Sequence, residues 1–192
     1  PILSYLLLSG KCRKCKNKIS PQYLLVEILS ALGFFLIYFI YGVTTITLFL
    51  IILFVGFIII FFIDLKHFII PNSLTFPMMI LGFVKSFNPN LNELFPNPIN
   101  SLIGGLLGYG IIWLIIFLYK VLRNKEGMGL GDAKLLAVIG FWFGWIAIPF
   151  VIFSSSVVAL ASVIPSLLNK SKKLSSEIPF GPFIITGCIL YI

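Results

Sequence analysis

TITLFLIILFVGFIIIFFIDLKHFIIPN (45–72) carries no polar side chain from Leu48 through Ile63 and then meets Asp64. A helix needs about 20 residues to cross the hydrocarbon core of a bilayer. The run over 45–63, polar only at Thr45 and Thr47, therefore reads as a membrane-spanning helix that delivers Asp64 to its end. An ionised carboxylate at that depth is costly unless it is solvated, paired or used. A second stretch, GMGLGDAKLLA (127–137), does the same with Asp132, and these are the only two aspartates in a chain with 6 acidic residues.

The composition agrees with a membrane reading. Mean hydropathy is +1.11, with 59% hydrophobic and 10% charged residues, against about 25% charged in a soluble domain. Apolar runs fall at about 24–42, 45–63, 73–87, 99–119, 134–147, 148–168 and 179–192. We expect an all-α polytopic membrane protein of about seven transmembrane helices, with six or eight allowed by the same boundaries. The run at 73–87 is short and holds Pro77; that at 134–147 is short and holds Gly140 and Gly144. The Asn- and Pro-rich NPNLNELFPNP (88–98) cannot propagate a helix and reads as an outside connector. Pairs at Gly104/Gly108 and Gly140/Gly144 have the small-xxx-small spacing of closely packed helices.

Charge sets the orientation. With residues 1–21 cytoplasmic, 13 of the 14 Lys and Arg fall inside: Lys11, Arg13, Lys14, Lys16, Lys18, Lys66, Lys120, Arg123, Lys125, Lys134, Lys170, Lys172 and Lys173. Lys85 is the exception. The positive-inside rule selects that orientation and places Asp64 and Asp132 on the same cytoplasmic side. The net charge of +8 therefore reflects topology, and nucleic acid is not an expected partner. The domain expectation is a basic cytoplasmic cysteine loop over 1–21 and a membrane domain over 22–192. No secretory signal is visible, and because the chain begins at Pro1 inside an apparent loop, a natural N-terminal segment is expected to precede it.

Two carboxylates at one depth suit peptide hydrolysis. One takes a proton from water while the other, protonated, hydrogen-bonds the scissile carbonyl. A pair sharing a site cannot readily ionise twice, so it holds one proton. Gly127, Gly129 and Gly131 precede Asp132 and let an extended substrate approach the backbone. The structural alternatives are a boundary carboxylate at Asp64 balanced by Lys66, and a helix N-cap at Asp132 with Lys134 nearby. Asn72 or Ser73 is expected to cap the helix after Pro71.

GMGLGD resembles the GxGD motif of intramembrane aspartic proteases. Together, DLKHFIIPN (64–72), GMGLGDAKLLA and IPFGPF (178–183) resemble the type IV prepilin peptidases, as does KCRKCKNKISPQYLLVEILSA (11–31) with its cysteine loop and following helix. The resemblance spans nearly the whole chain. It implies removal of the leader from prepilins or pseudopilins at the cytoplasmic face of the inner membrane, with Asp64 and Asp132 as the catalytic pair. Gly129, Gly131, Lys134, Pro179 and Gly181 would support motif and substrate. In bacterial members of the family it implies methylation of the new N-terminal amine by S-adenosylmethionine as well. The substrate and the bilayer are then the expected partners; the sequence does not give the oligomeric state.

Other residues stay open between roles. Cys12 and Cys15 form a CxxC, half of a tetrahedral zinc site; the family often has a second pair, which would lie before Pro1. His67 reads as a solvated or structural residue rather than a third ligand. Cys188, in an apolar stretch, reads as a buried small hydrophobe. Glu27 is either a helix-start carboxylate favoured by the dipole or an acid of the methylation site. IPFGPF reads as a stiff, partly unwound lead-in beside the aspartates, or as a plain helix start. Two rivals remain: a GxGD protease of preflagellin or signal-peptide-clearing type, which the cysteine loop and IPFGPF disfavour, and a proton-coupled transporter, which should show midplane acids or inverted repeats.

The topology is testable by cysteine accessibility. Labels at positions 66 and 125 should react only from the cytoplasm, and a label at position 92 only from outside. Labelling of 66 and 125 from opposite faces would separate the two aspartates.

Overall fold

The computed structural model describes residues 2–123, 129–168 and 179–192. Lys125, Gly127, Lys170, Lys172 and Lys173 lie outside the described residues. Within them the protein is an all-helical, polytopic membrane protein. Its helices are α1 (Ile2–Leu7), α2 (Pro21–Tyr41), α3 (Thr45–His67), α4 (Asn72–Lys85), α5 (Pro98–Arg123), α6 (Leu130–Phe143), α7 (Ala147–Leu168) and α8 (Gly181–Tyr191), with a 3-10 turn at Pro89–Leu91. Each of the seven apolar runs is a helix, and α2, α3, α5 and α7 are long and apolar enough to cross a membrane. One expectation needs correcting: α1 lies in the segment read as loop.

The chain forms two compact units, Pro1–Ile58 and Ile59–Ile192. In the first, Ser20 caps α2 by accepting from the Gln22 N–H, with Pro21 at the first turn, where its missing N–H costs nothing. Gly42, at φ +64°, ends that helix in a conformation open mainly to glycine. Its carbonyl accepts from Thr47 Oγ1 at 2.7 Å, and Thr44 Oγ1 accepts from the Thr47 N–H at 3.2 Å, which starts α3. The Phe54 ring lies over Gly33, where any Cβ would overlap it.

In the second unit α6 is central and packs against α4, α5, α7 and α8. Ten of its 14 residues are buried. Helices in lipid gain little from hydrophobic burial against one another, so they rely on close packing and interhelical hydrogen bonds. The expected small-residue pairs supply the first. A Cβ on Gly104 would overlap the Gly140 carbonyl, one on Gly140 would overlap the Gly104 backbone, and one on Gly108 would sit 2.5 Å from the Leu136 carbonyl oxygen. Ser101 Oγ adds a hydrogen bond to the Phe141 carbonyl at 2.7 Å. Between α7 and α8, Ser154 and Ser155 fill the space left by Gly187, and Cys188 is fully buried as expected.

α6 begins at Leu130, four residues before the predicted run, so Gly131 and Asp132 belong to its first turn. It stops at Gly144, whose φ of +79° few other residues adopt. The displaced carbonyl of Trp142 accepts from Lys85 Nζ at 2.9 Å, and the ammonium lies 3.4 Å from the Phe95 ring centroid and 4.9 Å from that of Trp142. Only 3% of Lys85 is exposed. The one lysine that broke the charge count is thus a packed C-terminal partner of α6 rather than a loop charge.

Replacing Gly140 by Val should cost about 3 kcal/mol or more, because backbone on α5 cannot yield to a new side chain. Gly110, with nothing within 4 Å of a built Cβ, should accept Ala with a gain of up to about 1 kcal/mol. Thermal unfolding in detergent would compare the two.

Candidate active site

Asp64 stands one turn before the end of α3, and its carbonyl accepts from the Phe68 N–H at 2.9 Å. Phe68 ends the helix at φ +56°. For a bulky residue this left-handed conformation costs on the order of 1 kcal/mol. It turns the chain sharply, so that Ile70 is buried and α4 starts immediately beyond Pro71. Pro71 itself is the N-cap, with no side-chain capping bond. The expected cap by Asn72 or Ser73 is therefore absent, and the Asn72 side chain is engaged elsewhere.

Asp132 is the third residue of α6. The N-cap is Gly129, and no side-chain cap bond forms, so the capping role considered for Asp132 does not hold. Lys134 does not turn back to it: Lys134 Nζ donates to Asn72 Oδ1 at 2.7 Å. Asp64 is 5% exposed and Asp132 8%. Lys66, the cation weighed as a balance for Asp64, is exposed.

The third piece of the site is IPFGPF, whose Ile178 lies outside the described residues. Pro179 is half-buried and precedes the helix; Phe180 is the N-cap, Gly181 the first residue of α8 and Pro182 the second. The first N–H groups of a helix have no intrahelical acceptor. Pro182 removes one, and the Gly181 N–H donates to Asp64 Oδ2 at 3.1 Å. The segment is beside an aspartate, as expected. Only glycine fits there: a Cβ would lie 2.5 Å from Asp64 Oδ2 and 3.2 Å from Ile70 Cδ1. Ile70 also flanks Gly131, whose built Cβ would be 3.0 Å from Ile70 Cβ. Asp64, Gly181, Ile70, Gly131 and Asp132 thus form one cluster. Sequence reasoning missed Ile70 and the Asn72–Lys134 bond. Neither has a local signal, since one looks like any apolar residue and the other spans 62 positions.

The remaining candidates lie in Pro1–Ile58. Residues 11–18 form a hairpin closed by the Lys11–Lys18 bridge, with the Cys12 N–H donating to the Asn17 carbonyl and the Lys16 N–H to the Cys12 carbonyl, both at 2.9 Å. The N–H groups of Cys15 and Lys14, with the Cys15 side chain, hold the Cys12 thiol below its ordinary pKa. Two thiols are half a tetrahedral zinc site. Among the described residues no third His, Cys, Asp or Glu joins them, so Cys12 and Cys15 do not build a zinc site from these residues. Glu27 is half-exposed at the seventh position of α2. The dipole effect fades beyond the first turn, so that explanation of Glu27 fails. Among the described residues the only pairing of extended backbone is the Lys11–Lys18 bridge, and no strand leads into a glycine-rich helix start.

The site thus places two buried carboxylates near the ends of packed helices in an all-helical membrane protein. The chain belongs to the type IV leader peptidase family, which it matches over residues 51–164; residues 1–41 match the bacterial peptidase A24 N-terminal domain. It is 38% identical over 192 residues to a prepilin leader peptidase/N-methyltransferase of Neisseria gonorrhoeae, covering 100% of this chain and 64% of that protein. The protein of the same name from Aeromonas hydrophila is 38% identical over 190 residues, covering 98% and 64%. That from Pseudomonas aeruginosa is 36% identical over 190 residues with the same coverage, 98% and 64%. The chain therefore spans somewhat less than two thirds of the length of these relatives. No solved structure matches it significantly.

The cysteine hairpin makes a pH-dependent prediction. A lowered thiol pKa means that thiolate persists as pH falls, and thiolate is the reactive form. Cys12 in the hairpin should therefore be alkylated by iodoacetamide faster than a free thiol in an unstructured peptide near neutral pH, and its rate should level off at lower pH. Mass-spectrometric mapping of the modified peptides would read the rate; a pH profile equal to that of the unstructured peptide would contradict the amide contacts.

Proposed function

We propose that the chain is the protease part of an inner-membrane enzyme that removes the leader from type IV prepilins or pseudopilins at the cytoplasmic face. The reading rests on one observation above others: Asp64 and Asp132, 68 positions apart in sequence, are both buried at adjoining helix ends, with the Gly181 N–H fixing one carboxylate. The family and the names of the relatives support the substrate. Residues 1–21 would form the basic cytoplasmic head and 22–192 the membrane protease domain.

In this reading the ionised member of the pair takes a proton from water as the water oxygen attacks the scissile carbonyl carbon. The protonated member hydrogen-bonds the carbonyl oxygen as charge develops on it. The tetrahedral intermediate then expels the amine, which leaves with a proton returned from the pair. Gly129, Gly131, Pro179 and Gly181 shape the approach to the carboxylates. The names of the relatives also support methylation of the new N-terminus. Glu27 would orient the substrate ammonium or take its proton, leaving the neutral amine to accept the methyl that S-adenosylmethionine would supply.

Purified protein in detergent should cleave a prepilin, and mass spectrometry should find the mature pilin lacking its leader. Asp64→Asn and Asp132→Asn should each abolish cleavage with the fold intact, because paired groups act as a unit. Gly181→Ala should lower the rate by roughly a hundredfold through displacement of the Asp64 carboxylate. Substantial cleavage by either Asn variant would remove the dyad, and cleavage of a preflagellin but no prepilin would change the substrate.

A further inference from the structure

α6 is tied to α4 at three levels. At the far end Lys85 Nζ donates to the Trp142 carbonyl at 2.9 Å. Nearby, Trp142 Nε1 donates to the Met78 carbonyl at 2.8 Å, with Gly82 leaving room for the indole. Both are buried. At the aspartate end the tie is Lys134 Nζ to Asn72 Oδ1 at 2.7 Å, and it is exposed. Each end of this tie adjoins the site. Lys134 is two residues past Asp132. Asn72 is two residues past Ile70, which packs against Gly131 and Gly181. Residues two apart on a helix do not face each other, so Lys134 and Asp132 point to different sides of α6. The lysine stem crosses the first turn of α4, with its ammonium 6.0 Å from the Phe76 ring centroid.

We propose that Lys134 and Asn72 are a positioning pair: their hydrogen bond holds the first turn of α6, with Asp132, in register with the α3–α4 junction that carries Asp64 and Ile70. This rests on the aspartic protease reading and gives it a geometry-setting element. Lys134 is then not a catalytic residue. Because Lys85 and Trp142 hold the opposite end, losing the pair frees only the aspartate end of α6, and the helices stay assembled.

The experiment is a double-mutant cycle on the full chain in detergent, with prepilin cleavage as the readout. Lys134→Met and Asn72→Leu should each lower kcat by roughly ten- to a hundredfold, as small misplacements of catalytic groups do, while KM and the pH profile stay put. The double variant should be no worse than either single one, because both remove the same contact. Asn72→Asp, which keeps an acceptor for the ammonium, should retain most of kcat. Additive losses, a change confined to KM, or a shifted pH limb for Lys134→Met alone would overturn the proposal. A second measurement needs no activity. In a chain cleared of its three cysteines, nitroxide labels at the exposed positions 73 and 130 should give a narrow distance distribution that broadens in either single variant. An unchanged distribution would overturn the clamp. A wild-type chain that cleaves no prepilin would overturn the protease reading instead, and the label distances would still decide the clamp.

Discussion

The contact of α5 with α6 through Gly104 and Gly140 leaves no room for a side chain on either helix, and the arrangement of residues 59–192 depends on it. Water supplies no driving force between helices inside a bilayer, so affinity comes from how closely their surfaces fit. α6 has only 14 residues, and ten of them are buried. A helix that short, surrounded by four others, holds its place only if each neighbour can reach it. The glycines admit α5, Gly82 admits the Trp142 ring from the α4 side, and Gly187 lets α8 meet α7. Asp132 rides on this helix, so the packing of α6 also fixes one half of the carboxylate pair.

Polar groups then set the registers that apolar packing leaves loose. Lys85 shows how. A buried ammonium is costly alone, but here it meets a carbonyl that α6 can no longer bond internally and two aromatic faces. The same logic operates at the N-terminus of α8. The Gly181 N–H lacks a helical partner and finds Asp64 Oδ2. In both places the unsatisfied end of one helix is completed by a side chain from another, which joins helices and orients the side chain at once.

The site is thereby assembled from three separated pieces of chain. The turn at Phe68 is its least comfortable feature, since a bulky side chain occupies a left-handed backbone conformation. That turn brings Ile70 back under the carboxylates within six residues of Asp64. A relaxed helix end would carry the chain away from the pair, so strain here accompanies the placement of the group that separates Gly131 from Gly181.

The sequence by itself determined the all-helical membrane class, seven apolar helices, the small-residue contacts and the prominence of Asp64 and Asp132. These follow from composition, run length and spacing, which are local properties of the chain. It misread the first six-residue helix as loop, began α6 four residues late because glycines and a charge obscured its first turn, and offered Asn72 or Ser73 as a cap where Pro71 stands; the N-cap weighed for Asp132 as the alternative to catalysis does not form. Lys85 looked like a topological error because the charge count cannot see burial. Only the tertiary structure decided that Lys134 bonds Asn72, that Gly181 faces Asp64 and that Ile70 lies between two glycines. Those contacts join residues dozens of positions apart, and no local pattern of hydrophobicity or charge encodes which distant partner a side chain will meet.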